Sequence, residues 1–227
     1  MTAPLPPPRT APTRHLAVRR LTRTEEGERL HGLLWDAGPG WRMVSSAVLG
    51  GGLGERGWVL NAQVAHGYRR TDPDRHLAEL AAGAGAPGAG VGLMTAADVS
   101  AYAHAYDGGA EALATAGVDV RGWAAAPDRG APVPAGPGTI NIIAVLPVAL
   151  TDAALVNAVA TATEAKVQAL LDRGYDCSGT PTDAVCVAAR SPLPGDRPHS
   201  FAGPRSEWGA RLARAVHRAV HDATPTP

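Results

Sequence analysis

Four polar residues share one line of a long helical stretch. Asn157, Thr161, Glu164 and Gln168 recur at i, i+4, i+7 and i+11 between Ala153 and Arg173, a spacing that stacks side chains on one helix face. Glu164 is the carboxylate among them, and on an otherwise uncharged stripe it suits general-base work in a polar cleft. The alternative is a solvated outer face, which would ordinarily carry more Glu, Lys and Arg. Beyond the helix, Gly179-Thr180-Pro181-Thr182-Asp183 puts two hydroxyls and a carboxylate into one loop. That composition serves either turn capping or a carboxylate aimed into a cleft. His66 stands at a strand end before a turn, where proton transfer is open to it and a plain loop histidine is an equal reading.

Other groupings carry less. Ser45 and Ser46 with Lys166 have the residue types of a Ser–Ser–Lys amidase, although serine pairs at strand ends are common. Lys166 is the single lysine beside 20 arginines. Lysine can release its proton where arginine cannot, yet retention on an exposed face is the plainer account of it. His76 and Glu79 stand at i, i+3 with no third metal ligand placed, so a salt-bridged surface pair is expected and no metal site is assigned. Glycine spacings at Gly52, Gly54 and Gly57, and at Gly83, Gly85 and Gly88, match a dinucleotide fingerprint in form only. The first is followed by a strand where a helix N-terminus is needed, and the second follows a helix. Five Trp against one Phe leave room for an aromatic wall, or simply for core packing.

The elements that must position these residues can be read from periodicity and punctuation. Gly138 to Leu146 is a β-rich apolar run, expected to end near Pro147 because proline cannot donate to a ladder. Thr151 and Asp152 cap the helix Ala153–Arg173, Gly174 stops it, and Ala184 to Ala189 is a second buried strand. On that helix Val156, Val159, Thr163, Val167 and Leu170 form the apolar side and Lys166 points away from the polar stripe. Earlier, edge strands are expected between His15 and Leu34, with Leu30–Trp35 the best of them. Trp41–Leu49 and Trp58–Val64 read as strands about a glycine-rich turn, and a helix runs over Arg75–Ala82 with Pro73 near its first turn. Val91–Ala96 is a strand, and Tyr102–Tyr106 with Glu111–Val118 a hairpin. Trp123–Pro137 is loop and Ser206–Asp222 a final amphipathic helix. About eight strands and three helices give an α+β domain: layered mixed or antiparallel sheets covered by the long central helix and the C-terminal helix. One domain is expected over 15–222, with a disordered Pro-rich segment 1–14 and a disordered tail 223–227.

Composition narrows the function classes. The 227 residues carry a formal net charge of zero, so there is no electrostatic case for nucleic acid or an anionic membrane. No apolar run approaches the roughly 20 residues that span a bilayer, and the N-terminus lacks a signal-peptide core. Two cysteines, one inside a predicted buried strand, argue against a disulfide scaffold and fit a reducing cytoplasm.

A resemblance adds a reaction. Val44-Ser45-Ser46-Ala47-Val48-Leu49-Gly50-Gly51-Gly52, Leu60-Asn61-Ala62-Gln63-Val64 and Gly138-Thr139-Ile140-Asn141-Ile142 come first. The blocks Asn157 to Lys166, Gly179-Thr180-x-Thr182-Asp183-Ala184 and Gly203-Pro204-x-Ser206-x-Trp208-Gly209 follow. In this order, over about residues 15 to 221, they resemble the adenosylcobinamide amidohydrolase (CbiZ) family. The resemblance implies hydrolysis of the amide joining aminopropanol to the corrin ring, releasing adenosylcobyric acid for coenzyme B12 salvage. It implies a small-molecule corrinoid as substrate rather than cofactor, with metal dependence and homo-oligomerisation left open. On this footing Glu164 is the expected base, His66 or Asp183 the proton donor to the departing amine, and Asn61 and Asn141 the oxyanion donors. Ser45, Ser46, Asn157, Thr161, Thr180 and Thr182 are expected substrate contacts, with one of the threonines an alternative nucleophile. The strand, long helix and strand introduced by a Gly-Thr-x-Thr-Asp loop also resemble layered αββα hydrolases. Rival readings are a non-catalytic corrinoid-delivery protein and an amide hydrolase acting on another substrate.

Overall fold

The computed structural model describes residues 13–127 and 138–227. The segment 1–12, and the stretch 128–137 that makes up most of the expected Trp123–Pro137 loop, lie outside the described residues. In chain order the elements are β1 (Val18–Glu25), β2 (Glu28–Asp36), β3 (Trp41–Ser45), β4 (Gly52–Glu55) and β5 (Trp58–Gln63). Then come α1 (Pro73–Gly83), β6 (Val91–Thr95), a short 3-10 turn, β7 (Ala103–Asp107), β8 (Ala110–Val118) and β9 (Gly138–Ala149). The chain ends with α2 (Asp152–Asp172), β10 (Ala184–Arg190) and α3 (Glu207–Ala223).

Two sheets stack face to face. One has four strands in the order β1-β2-β5-β6, the other six in the order β4-β3-β10-β9-β8-β7. Each is mostly antiparallel and holds one parallel pair, β5 with β6 and β9 with β10. A parallel pair needs a crossover, and α1 and α2 supply them on the outer faces. Apolar clusters fill the three interfaces between the layers. Leu60 and Trp58 meet Leu77 and Ala81 of α1, Leu33, Trp35 and Val59 meet Ile143 and Val145 between the sheets, and Ile140 and Ile142 meet α2 and α3. This is the layered α+β arrangement expected, in αββα order.

Several local expectations are corrected. Leu30–Trp35 lies inside its sheet between β1 and β5, and the edge is the charge-rich β1, as suits a strand that must not recruit another. The first strand after it ends at Ser45. Its glycine-rich continuation is no simple turn, since Gly52–Glu55 pairs with β3 while β5 enters the other sheet. β9 runs past Pro147 to Ala149: its register against β10 shifts between Ala189 and Arg190, passing over Pro147 and Val148, so no ladder bond is asked of the proline nitrogen. His76 and Glu79 do not pair. Glu79 bridges Arg70 and Arg75, while buried His76 stacks on Tyr68.

The main reversal concerns α2. Its capping is as expected, Thr151 Oγ1 accepting from Ala154 N at 3.2 Å. Its buried face, however, is the small-residue one, with Ala154, Leu155, Ala158, Ala162, Ala165 and Ala169, and Val156 stands 56% exposed. Alanine lets a helix axis approach a sheet and a neighbouring helix, which larger side chains would hold off. The start of α3 closes in similarly: a Cβ on Gly209 would stand 1.9 Å from the Gly203 carbonyl oxygen. Ser206 Oγ caps that start by accepting from Gly209 N at 3.1 Å. Past α3, Thr224 is buried and Arg173 donates to its carbonyl at 3.0 Å.

Candidate active site

The C-terminal ends of β3, β5, β6 and β8 and the N-terminal ends of β9 and β10 meet at one end of the double sheet. There the polar residue types of the sequence collect. Lys166 leaves the inner face of α2 and pairs with Asp183, just before β10, with only 8% and 12% of their side chains exposed. Asp183 is held on all sides. Its Oδ2 accepts from Lys166 Nζ and from Thr180 N at 3.1 Å, and its Oδ1 accepts from Ile140 N at 2.9 Å with Thr180 Oγ1 beside it. Thr180 Oγ1 and Thr182 Oγ1 also lie 2.7 and 2.9 Å from the Gly138 carbonyl oxygen. A buried carboxylate persists as an ion only when so compensated. Gly179 is required beside it, because a Cβ there would come within 2.3 Å of Asp183 Oδ2 and 2.5 Å of Lys166 Nζ.

This pair forms the wall of an open cleft of ≈ 480 Å³. Trp123, Thr163, Val167 and Thr180 line it as well. Cys177, buried nearby, has its thiol pushed up by burial, which disfavours the thiolate that nucleophilic chemistry uses.

Behind the pair runs a second, buried network. Ile140 N goes to Asp183, and the next side chain, Asn141, turns to the opposite face of its sheet. Asn141 Nδ2 donates to Asn61 Oδ1 at 2.8 Å and to the Met94 carbonyl at 3.1 Å, while Asn61 Nδ2 donates to Thr115 Oγ1 at 2.9 Å. The Met94 carbonyl can only accept, so it fixes the orientation of Asn141 and through it that of Asn61. Both asparagines are 0% exposed. The one atom of the pair without a hydrogen-bond partner among the described residues is the acceptor Asn141 Oδ1. The network joins the β5–β6 unit to the β9–β10 unit and lies away from solvent, with both amide hydrogens of Asn141 and one of Asn61 turned toward protein acceptors. An oxyanion would need them turned toward the cleft.

The remaining candidates divide. Ser45 Oγ donates to the Val185 carbonyl at 2.9 Å and Ser46 Oγ accepts from Val185 N at 3.1 Å, so the serines staple β3 to β10. Neither meets Lys166, and no Ser–Ser–Lys arrangement forms. His66 is exposed in the turn after β5, at the same end of the sheets. On the other flank of α2, Asn157 Oδ1 accepts from Ala202 N at 3.2 Å and Thr161 Oγ1 donates to the Ala202 carbonyl at 2.8 Å. Glu164 and Gln168 line a separate groove of ≈ 350 Å³ with Arg214, His217 and Arg218 of α3. Asp183, Thr180 and Thr182 are thus brought together, and Glu164 is not among them.

Lys166 is the residue that sequence reasoning undervalued. It is buried rather than exposed, and the signal was present: one lysine retained among arginines. Trp123 was covered only by the general excess of Trp over Phe, and nothing tied it to Asp183, which lies far from its loop in sequence. Among the described residues no three His, Cys, Asp or Glu side chains gather as a metal site would require, and no helix is long and apolar enough to cross a membrane.

A family model described as adenosylcobinamide amidohydrolase matches residues 15–226. The adenosylcobinamide amidohydrolase of Methanosarcina mazei is 34% identical over 182 residues, covering 77% of this chain and 86% of that protein. A second, from Halobacterium salinarum, is 42% identical over 85 residues, 37% of this chain and 35% of its own length. Matched over nearly its whole length, the chain belongs to the adenosylcobinamide amidohydrolase family.

Proposed function

We propose that this protein hydrolyses the amide between aminopropanol and the corrin ring of adenosylcobinamide, giving adenosylcobyric acid, and that the Lys166–Asp183 cleft is where it does so. The observation that carries the site is a buried, fully compensated lysine–carboxylate pair opening onto a cleft, in a chain of this family. Amide hydrolysis needs a proton acceptor for the attacking water, a positive group for the oxygen that becomes charged, and a proton for the leaving amine. Thr180 Oγ1 has a single hydrogen, and turning it to the Gly138 carbonyl frees one lone pair of Asp183 Oδ1. There Asp183 takes the water's proton as the C–O bond forms and returns it to the nitrogen as the C–N bond breaks. Lys166 Nζ spends one hydrogen on Asp183 and keeps others for the developing oxyanion. Thr180 fixes the carboxylate, Thr182 meets the substrate at the rim, and His66 is an outlying second donor. Asn61 and Asn141 hold the floor rigid from behind, and Ser45, Ser46, Asn157 and Thr161 act through the fold. A small corrinoid is the partner. Oligomerisation and a cytoplasmic location are not needed for this chemistry.

The test is to incubate purified protein with adenosylcobinamide and chromatograph the corrinoids. A product with one new carboxylate together with free aminopropanol, lost in Asp183→Asn, is the expected result. Unchanged corrinoid that stays tightly bound to the wild-type protein would replace this reading with corrinoid delivery.

A further inference from the structure

The proposed substrate is much larger than the cleft. A volume of ≈ 480 Å³ suits a drug-sized group; it takes the amide-bearing arm, and a corrin macrocycle with its adenosyl group has to rest outside. The surface around the mouth is therefore part of the site, and two of its features serve no packing role among the described residues.

The first is Trp123. It is 45% exposed, whereas Trp35, Trp41 and Trp58 are buried. Its backbone is nonetheless anchored. Gly122 N donates to the Gly179 carbonyl and Ser178 N to the Gly122 carbonyl, both at 3.0 Å, and Ala124 N donates to Ser178 Oγ at 2.7 Å. Residues on both sides of Trp123 are thus tied to the segment that presents Gly179 to the ion pair. Next to it, Arg121 is spent on the Tyr175 ring at 4.9 Å and on the Val118 carbonyl. An indole held open to solvent by a fixed backbone is preorganised for a flat ligand.

The second is the flank of α2 that the core leaves unused. Thr163 and Val167 line the same cleft, and exposed Val156 lies on the same helical line, eleven residues before Val167. The sequence marks this side as apolar, while α2 packs through its alanines. We infer that Trp123 and the Thr163–Val167 flank of α2 form a platform for the face of the corrin macrocycle, setting a preference for a large planar ring over small amides while its arm reaches Lys166 and Asp183. This rests on the reading of the chain as an adenosylcobinamide hydrolase.

The experiment is a visible-absorbance titration with adenosylcobinamide, paired with steady-state hydrolysis, on wild type, Trp123→Ala, Trp123→Phe, Asp183→Asn and Phe201→Ser. Phe201 is an exposed aromatic outside the cleft and serves as control. Trp123→Ala should raise Kd and KM about tenfold, the worth of one good aromatic contact, with kcat changed less than about threefold. Trp123→Phe should recover most of the affinity, which a folding defect would not permit. Asp183→Asn should keep Kd and lose turnover, and Phe201→Ser should keep both. Wild-type Kd and KM in Trp123→Ala would overturn the platform and leave the enzyme reading standing. A wild-type protein that neither binds nor converts the corrinoid would overturn both.

Discussion

On one flank of α2, Asn157 and Thr161 are joined to the backbone of Ala202 and Glu164 sits in a wet groove facing the arginines of α3. On the other, Lys166 is withdrawn from water against Asp183 at the wall of a cleft. By residue type the first flank has the look of a site, with amide, hydroxyl and carboxylate in a row, and the second shows only one lysine among alanines and valines. The physical costs reverse that ranking. Uncharged polar groups on a helix cost little and readily serve as staples for a neighbouring turn. A buried charge pair is expensive and is often no more stable than apolar packing, so its presence calls for another reason, and an open cleft beside it supplies one.

The sharpest way to break this comparison is chemical. Asp183→Asn keeps shape and volume and should cut kcat by roughly a hundredfold or more, the usual worth of a positioned acid–base group, measured as corrinoid turnover at saturation. Turnover within tenfold of wild type would take Asp183 out of the mechanism. Next in size is stability. Lys166→Met leaves the Asp183 carboxylate buried with only neutral donors, at a cost of about 3 kcal/mol, which lowers Tm by about 6–12 °C for a chain of this length. Adding Asp183→Asn to it should restore at least half of that loss. A double variant no better than the single would mean that the pair is not coupled as its geometry implies.

The opposite flank should respond in stability alone. Asn157→Ala and Thr161→Val each remove one bond to the Ala202 turn, and should cost about 1 kcal/mol apiece with kcat and KM unchanged. A drop in kcat larger than the loss of folded protein explains would return this flank to the active site. A buried carboxylate away from both flanks calibrates the comparison with Asp183. Burial pushes the Glu111 carboxyl up, but His104 at 3.0 Å and the backbone N–H groups of His15 and Leu16 outweigh it and hold the group below its ordinary value. A depressed carboxylate pKa means that the folded state binds the proton less readily than the unfolded chain. Its stabilisation is therefore full above the ordinary carboxylate range and lost as pH falls through the folded value. Glu111→Gln should flatten the acid limb of a Tm-against-pH curve, and an unchanged limb would assign acid lability elsewhere.

What the sequence made legible follows from the range of the interactions. Helices α1, α2 and α3 and the β7–β8 hairpin around Gly108 and Gly109 were readable because caps, proline and turn glycines act within a few residues. The buried face of α2 was not, since alanine scarcely registers in hydropathy and its burial is decided by how closely β9, β10 and α3 approach. Lys166 could not be placed because its partner waits 17 residues on, in a loop whose path is set by bonds to Gly138 and Ile140. The Asn61–Asn141 link spans 80 residues and two sheets. Thr180, Thr182 and Asp183 were found together in sequence because they are neighbours there. Glu164 was favoured because helical periodicity reports which residues share a face and is silent on what that face meets.

Glu164→Gln is accordingly the smallest predicted effect and the one that tests the comparison most directly. The side chain is exposed, and its groove holds Arg214, Arg218 and His217 rather than Asp183. Removing one exposed negative charge among these cations changes a screened surface interaction worth at most about 1 kcal/mol. Activity on adenosylcobinamide should stay within about twofold, with Tm moved by no more than a few degrees. If Glu164→Gln instead abolished turnover while Asp183→Asn spared it, the α2–α3 groove would be the site, and the buried pair would become a structural element that happens to open onto a cleft. The two substitutions remove the same chemical group from opposite sides of one helix. Comparing their kcat values therefore separates the flanks without depending on how either variant changes the fold elsewhere.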